Sequence, residues 1–373
     1  MSTRSYLDHA AGSPMPPAVR AEMSAWFAVP GNPNSLHHAG RAARRALEEA
    51  REELAALVGA HPDEVVFTAG GTEANNLALT GSARAGRARL AISAVEHPSV
   101  GGVRERSDLV DVLAVDTDGR VLVCELDRLG ATTALTSVMW VNNETGVIND
   151  VAAVSEAAHR VGAWAHTDAV QAVGHLPVNF ADSGADLLSM SAHKLGGPVG
   201  IGALIRRRGI TLAPTGFGGG QEAKLRSGTV AVALAVGFAA AARQAAAGRA
   251  QETARLADLR ARLLAGVAAI PQTRNNSTEP ASPAIVNLTF GGTRADDLLL
   301  LLDAAGIDAS TGSACTAGLH QPSDVLQAMG RSRADAGASL RFSFGWSTTA
   351  DDIDRLLAAL PDAVGRARLA AAG

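Results

Sequence analysis

The apolar residues of this chain recur with two periods, and the two alternate along its length. Between His37 and Ala60, Leu47, Ala50, Leu54, Leu57 and Val58 return at helical spacing. Arg44–Glu48 and Arg45–Glu49 make i,i+4 pairs on the polar face, and Gly59 is a plausible stop. Short apolar runs then end in polar or glycine-rich residues, and helix-like stretches often follow. These runs are Glu64–Thr68, Leu90–Ser93, Val110–Val115, Ser137–Asn142, Trp164–Asp168, Leu187–Ser191 and Gly202–Arg206. Such spacing predicts βαβ units, hence an α/β fold with a mostly parallel sheet flanked by helices. Thr229–Ile270 reads as a long helical region rich in alanine, leucine and arginine, and Pro271–Pro283 as a loop. The pattern restarts with strands Ile285–Phe290, Ile307–Ser310 and Ser339–Phe344 and helices Ala295–Gly306 and Asp351–Leu360. A smaller α+β C-terminal domain is expected from this restart. The expected division is 14–250 for the large domain, with 1–13 and 251–373 in the small one.

Composition narrows the class of protein. A chain of 373 residues, 47% apolar and 19% charged, suits one large globular domain with a smaller one attached. Its formal net charge of −4 shows no basic excess calling for nucleic acid or an anionic membrane. The two cysteines, Cys124 and Cys315, are too few and too far apart for a disulfide framework or a zinc site. A reducing, cytoplasmic setting is expected. Cys124, in Val121-Leu122-Val123-Cys124, reads as core or sheet packing. The longest apolar run, Val230–Ala242, is shorter than the ~20 residues that span a bilayer. Met1–Pro17 lacks a charged stretch followed by an apolar one, so no signal peptide is expected.

Three segments carry candidate chemistry. Ser189-Met190-Ser191-Ala192-His193-Lys194-Leu195-Gly196-Gly197-Pro198 follows an apolar strand and ends in glycines. A lysine held at a strand end suits imine chemistry, because partial desolvation favours its neutral, nucleophilic amine. Ser191 and His193 supply donors for a phosphate. A surface lysine in a glycine loop explains this segment, taken alone, about as well. Trp164-Ala165-His166-Thr167-Asp168-Ala169-Val170-Gln171 is a strand ending in an acid, 26 residues before Lys194. A carboxylate there can keep a pyridine nitrogen protonated, and adjacent parallel strands would bring it to the same sheet edge as Lys194. A helix N-cap is its ordinary alternative. Thr68-Ala69-Gly70-Gly71-Thr72-Glu73-Ala74-Asn75-Asn76 follows a strand and opens a helix, where free amides bind phosphate. By itself it is an ordinary strand–helix turn.

Together these segments resemble fold type I pyridoxal-phosphate enzymes of the class V aminotransferase family, and more narrowly the cysteine desulfurases. The resemblance begins at Tyr6-Leu7-Asp8-His9-Ala10-Ala11 and Gly31-Asn32-Pro33-Asn34-Ser35. It continues through Glu96-His97, Val141-Asn142-Asn143-Glu144-Thr145-Gly146, Arg226-Ser227-Gly228-Thr229, Gly312-Ser313-Ala314-Cys315 and Ser339-Leu340-Arg341-Phe342-Ser343. It implies that pyridoxal 5'-phosphate is bound by Lys194, that Asp168 pairs with its pyridine nitrogen, and that His97 stacks on its ring and acts in acid–base chemistry. It implies that Gly71, Thr72, Ser191 and His193 hold the phosphate, and that Asn143 and Gln171 contact the phenolic oxygen side. Thr229 would reach the phosphate of the partner subunit of a homodimer. Arg341 would bind the substrate carboxylate, a structural ion pair being its ordinary alternative.

The implied reaction takes sulfur from L-cysteine onto Cys315, releasing alanine and leaving a persulfide. Cys315 lies among Ser, Thr, Gly and Ala, which suits a nucleophile that hands sulfur outward better than a buried thiol. Its acceptor would be an iron–sulfur scaffold or a tRNA-thiolating enzyme, and transient ligation of a cluster by Cys315 stays open. No resident metal is implied. Ala192, Gly71 and Trp140 depart from the common family pattern without removing a functional group. Selenocysteine lyase, another class V lyase or aminotransferase, and a non-catalytic interaction protein are the rival readings. The last is disfavoured by the presence of both Lys194 and Cys315.

Overall fold

The computed structural model describes residues 4–312 and 321–372. Its strands are β1 (Ser5–Tyr6), β2 (Val65–Thr68), β3 (Arg89–Ser93), β4 (Val110–Leu113), β5 (Thr133–Ser137) and β6 (Trp164–Asp168). They continue with β7 (Leu187–Ser191), β8 (Gly202–Arg206), β9 (Thr273–Asn275), β10 (Ile285–Phe290), β11 (Ile307–Asp308) and β12 (Ser339–Ser343). Seven form one sheet in the order β2-β8-β7-β6-β5-β3-β4. All its pairings are parallel except those of β8, which runs antiparallel to both neighbours. The mostly parallel sheet flanked by helices is therefore present. Its inner strands β5 and β7, and the edge strand β2 as well, are buried along their whole length, as a sheet covered on both faces requires.

The helix expected between His37 and Ala60 spans His38–Val58, and its apolar stripe is buried. It ends at Gly59 in the left-handed conformation (φ 65°), where a Cβ would lie 2.7 Å from Asn179 Oδ1. On its polar face Glu48 pairs with Arg51 at 3.2 Å rather than with Arg44.

Smaller sheets lie beyond it. β12-β10-β9 is antiparallel, and β1 pairs with β11 in parallel. The N-terminal strand is thus stitched to the C-terminal part of the chain. A continuous helix, Val232–Val267, links the seven-stranded sheet to this region. One apolar cluster runs from Leu47 and Leu54 through Phe67, Leu188 and Phe238 to Leu288, Phe342 and Leu356. It therefore joins both regions.

Four sequence expectations are corrected. The strand placed at Ser137–Asn142 lies at Thr133–Ser137. The apolar residues after it leave the sheet edge, where the Val138 and Trp140 amides bond the carbonyls of His166 and Asp168. The loop Pro271–Pro283 contains β9, whose polar residues are tolerated because it is an exposed edge strand. The last helix runs over Ala350–Ala372, past Pro361. Cys124 is exposed rather than packed in a core or sheet. It sits on the one-turn helix Val123–Leu126, where only Leu126 is buried, so the helical phase turns the thiol outward.

Candidate active site

Strand register assembles the site at the carboxyl edge of the large sheet. Asp168, the last residue of β6, stands level with Ser189 of β7. Two residues later Ser191 ends β7, and a tight turn, Ala192–Lys194, follows. Asp168 and Lys194 therefore share one edge, where ligands bind in open α/β sheets.

Asp168 is 6% exposed. Its carboxylate accepts from the Val170 amide at 3.0 Å and from Asn75 Nδ2 at 2.7 Å. Asn75 lies one helical turn into Gly71–Gly81 and also donates to Ser99 Oγ at 2.8 Å. Ser99 in turn contacts His97 Nδ1, through its hydroxyl at 2.7 Å and its amide at 3.1 Å. With Nδ1 taken as the acceptor, the neutral imidazole carries its proton on Nε2. Burial holds the His97 pKa below its ordinary value, against the pull of Asp168. One chain of hydrogen bonds thus orients both the acid and the imidazole. Beneath them His166, between Ser137 Oγ at 2.8 Å and Ser189 Oγ at 3.0 Å, is pushed by burial down to about 3 and stays neutral.

Lys194 Nζ donates to the carbonyls of Ala10 at 2.5 Å and Ala11 at 2.9 Å. Burial, with Arg341 nearby, lowers its pKa to about 8, although Asp8 and Asp168 oppose the shift. A cleft of about 300 Å³ reaches Lys194 from the side of Ser13, His175 and Trp346. Gln171 Nε2 donates to the same Ala10 carbonyl at 2.9 Å. The N-terminal turn therefore touches two of the expected site residues.

The helix Gly71–Gly81 begins without a side-chain cap at Gly70, leaving its first amides open beside Ser191. Nothing lies within 4 Å of the place a Gly70 Cβ would take, and a Cβ at Gly71 would lie 3.5 Å from Ser191 Cβ. The opposite wall is tight: a Cβ at Gly202 would sit 2.5 Å from the Gly70 carbonyl carbon. Ser191 Oγ and His193 Nδ1 are paired at 2.9 Å. Open amides, a hydroxyl and an imidazole at a helix N-terminus form an anion cradle. Of the departures noted above, Ala192 is fully buried, and Gly197 accommodates it because a Cβ there would lie 2.9 Å from Ala192 Cβ.

Arg341, on β12, is only 5% exposed in its side chain. It donates to the Asn143 carbonyl at 2.9 Å and to Asp8 Oδ1 at 2.7 Å. Among the described residues, its Nε and the side-chain oxygen of Asn143 are buried without a partner. Next to Asn143, Glu144 is buried and accepts from Ser323 Oγ at 2.5 Å. Burial raises its pKa to about 7, against the Ser323 hydrogen bond and the charge of Arg341.

The structure thus brings together Gly71, His97, Asp168, Gln171, Ser191, His193 and Lys194, with Asn143 and Arg341 on the side of Asp8. Thr72, exposed, follows Gly71 at the helix start. Thr229 is not with them; it is exposed and lines a separate cleft of about 490 Å³ with Asn34, Arg51 and Glu222. Cys315 lies outside the described residues. Sequence reasoning passed over Asn75, Ser99 and Asp8. Asn75 stands in the quoted glycine segment, four residues after Gly71, a spacing that returns to the same helix face.

Comparisons with known proteins place the chain in a family. The family model Aminotransferase class-V matches residues 5–356. The IscS-like cysteine desulfurase of Mycobacterium tuberculosis (strain ATCC 25618 / H37Rv) is 47% identical over 388 residues, covering 99% of each chain. A solved NifS-like protein from Rickettsia africae superposes with a TM-score of 0.89 at 29% identity, covering 97% of this chain and 99% of that one. A solved structure of SspA in complex with cysteine gives 0.80 at 31% identity, covering 91% and 98%. The chain belongs to the aminotransferase class-V family and, within it, to the cysteine desulfurases.

Proposed function

We propose that this chain binds pyridoxal 5'-phosphate and uses it to move the sulfur of L-cysteine onto Cys315, yielding L-alanine and an enzyme persulfide. The observation that carries the cofactor reading is the pairing of a buried, doubly hydrogen-bonded Asp168 with a desolvated Lys194 on one sheet edge. The residues present fit the group. Asp168 would hold the pyridine nitrogen, and His97 would cover the ring. Gly71, Thr72, Ser191 and His193 would take the phosphate, and Gln171 and Asn143 would line the phenolic oxygen. When bound, the cofactor supplies an electron sink for charge developing at the substrate α-carbon.

The chain's own residues do the rest. Arg341 would take the substrate carboxylate, satisfying an Nε that has no partner among the described residues, and the Asn143 side-chain oxygen beside it offers an acceptor. Lys194 Nζ, with its pKa near 8, would take the α-proton and return protons at carbon. His97, neutral and protonated on Nε2, would donate or accept at the sulfur side. Cys315 Sγ attacks as a thiolate: a sulfur–sulfur bond forms, the substrate carbon–sulfur bond breaks, and the β-carbon gains a proton. The relative solved with cysteine supports the substrate assignment.

The remaining readings belong to the same proposal. Thr229 would serve the phosphate of a second copy in a homodimer, which accords with its exposed place in a separate cleft. The persulfide would pass in the cytoplasm to an iron–sulfur scaffold or a tRNA-thiolating enzyme. No helix of the described residues is long and apolar enough to cross a membrane, and no group of three or more described His, Cys, Asp or Glu residues is placed to hold a metal.

The test is turnover of L-cysteine with a reductant, measuring sulfide and alanine, for the wild type, Cys315→Ala and Cys124→Ser. Equal yields of both products, lost only in Cys315→Ala while the cofactor colour persists, are expected. Retention of sulfide release in Cys315→Ala would sink the assignment of the nucleophile.

A further inference from the structure

Asp8 sits on the N-terminal turn that closes the site, and the structure fixes it firmly. Its carbonyl accepts from the amides of Ala11 at 3.0 Å and Gly12 at 3.3 Å and from the Tyr6 hydroxyl at 3.1 Å. Its residue also bridges to Ser343 on β12. The flanking backbone is tied to the same strand: the Ser343 amide donates to Leu7 at 2.8 Å, and the Ala10 amide to Ser343 Oγ at 2.8 Å. Asp8 therefore moves little relative to Arg341, and the two side chains meet at 2.7 Å. The pair is largely withdrawn from water, with side-chain exposures of 21% and 5%. Two and three residues beyond Asp8, the carbonyls of Ala10 and Ala11 hold Lys194 Nζ. Asp8 and Arg341 both lie close enough to Lys194 to act on its charge, so an amine brought to Lys194 by a carboxylate on Arg341 comes within reach of Asp8.

We propose that Asp8 is a specificity-determining residue, which selects α-amino acids over simple carboxylates by exchanging its partner Arg341 for the substrate ammonium. This rests on the reading of Arg341 as the anchor of the substrate carboxylate. The physics is that of a buried ion pair opened by a ligand. A carboxylate that takes Arg341 without bringing a cation leaves Asp8 shielded from water, unpaired, and next to a second anion. A zwitterion carries its own replacement: its carboxylate takes Arg341 and its ammonium takes Asp8. The site thus opposes the wrong ligand as much as it attracts the right one. No covalent or redox step is involved.

The experiment uses the cofactor-loaded enzyme and two ligands, L-cysteine as substrate and 3-mercaptopropionate, the same thiol acid without the amine, as competitive inhibitor. In Asp8→Asn, inhibition by 3-mercaptopropionate is expected to strengthen about 10-fold, the equivalent of relieving one modest charge conflict, while the KM for L-cysteine rises. Asp8→Glu, which keeps the charge, is expected to hold the selectivity near that of the wild type. Asp8→Ser provides the neutral variant if Asp8→Asn does not fold, as judged by cofactor absorbance. Arg341→Gln is expected to weaken both ligands. If Arg341→Gln weakens both but the neutral variants leave the ratio of the two constants unchanged, the role of Asp8 is overturned alone. If Arg341→Gln affects neither ligand, the carboxylate anchor falls and the proposal with it.

Discussion

The side-chain amide of Asn75 donates to Asp168 Oδ2 at 2.7 Å and, through the same nitrogen, to Ser99 Oγ at 2.8 Å. This one amide sets both the buried acid and, by way of Ser99, the His97 ring. Asn75→Ala removes a charge-assisted hydrogen bond worth about 1.5–3 kcal/mol and leaves Asp168 held by one backbone amide. Turnover of L-cysteine should fall about 10-fold or more, the rate equivalent of that energy. The cofactor absorption band should shift, because in the proposed reading the acid that would face the pyridine nitrogen becomes a weaker partner. Unchanged turnover and an unchanged spectrum would show that Asp168 needs only its backbone donor.

In the proposed reading Lys194 would take up the cofactor aldehyde as the free amine, and burial lowers its pKa to about 8. The rate at which cofactor-free protein takes up pyridoxal 5'-phosphate should therefore rise through pH 8 and level off above it. Stopped-flow absorbance over pH 6–10 checks this. A rise continuing to pH 10 or beyond would mean the amine is solvated like a surface lysine.

A Cβ at Gly71 would lie 2.8 Å from Val170 Cγ2. Gly71→Ala should destabilise the chain by about 1–3 kcal/mol and weaken cofactor binding, since the displaced helix start would carry the proposed phosphate cradle. The double variant Gly71→Ala/Val170→Ala, which clears the contact, should recover most of both. Denaturation midpoints and cofactor titrations provide the measurement, and failure of the second substitution to rescue would place the cost in the backbone instead.

His166 is fully buried and neutral, with a folded pKa of about 3 against an ordinary 6.5. The unfolded chain takes up the proton that the folded chain refuses, so the stability contributed is present above pH 6.5 and is lost as pH falls toward 3. Over that window His166 alone contributes a slope of about 1.4 kcal/mol per pH unit. His9, pushed by burial down to about 4, adds to it at the upper end. Urea denaturation at pH 7 and pH 5 should show the loss, and His166→Gln should flatten the dependence.

The periodicities that announce these elements are local, and they were legible where one face of an element decides burial. The stripe from Leu47 to Val58 and the runs Trp164–Asp168 and Leu187–Ser191 fall where the pattern put them. The pattern misled where apolar residues pack outside a ladder, as in Val138–Val141, or where an edge strand is polar, as in β9. Helical phase turned Cys124 outward although its neighbours are apolar. Glycines before a helix, an acid at a strand end and a lysine just after one made Gly71, Asp168 and Lys194 candidates, each with an ordinary alternative, and the family resemblance in their combination gave them roles.

The partnerships among these groups belong to the tertiary structure alone. Asp8 and Arg341 are 333 residues apart in the chain, and Asn75 and Asp168 are 93 apart. No local rule pairs them; the parallel register of β6 with β7 and the stitching of the N-terminal turn to β12 do. The sequence by itself determined which functional groups the site possesses and which elements carry them. The depressed pKa of Lys194, the neutrality of His166 and the closed pair of Asp8 with Arg341 arise only when folding withdraws them from water, where desolvation and unscreened charge act over a few ångströms.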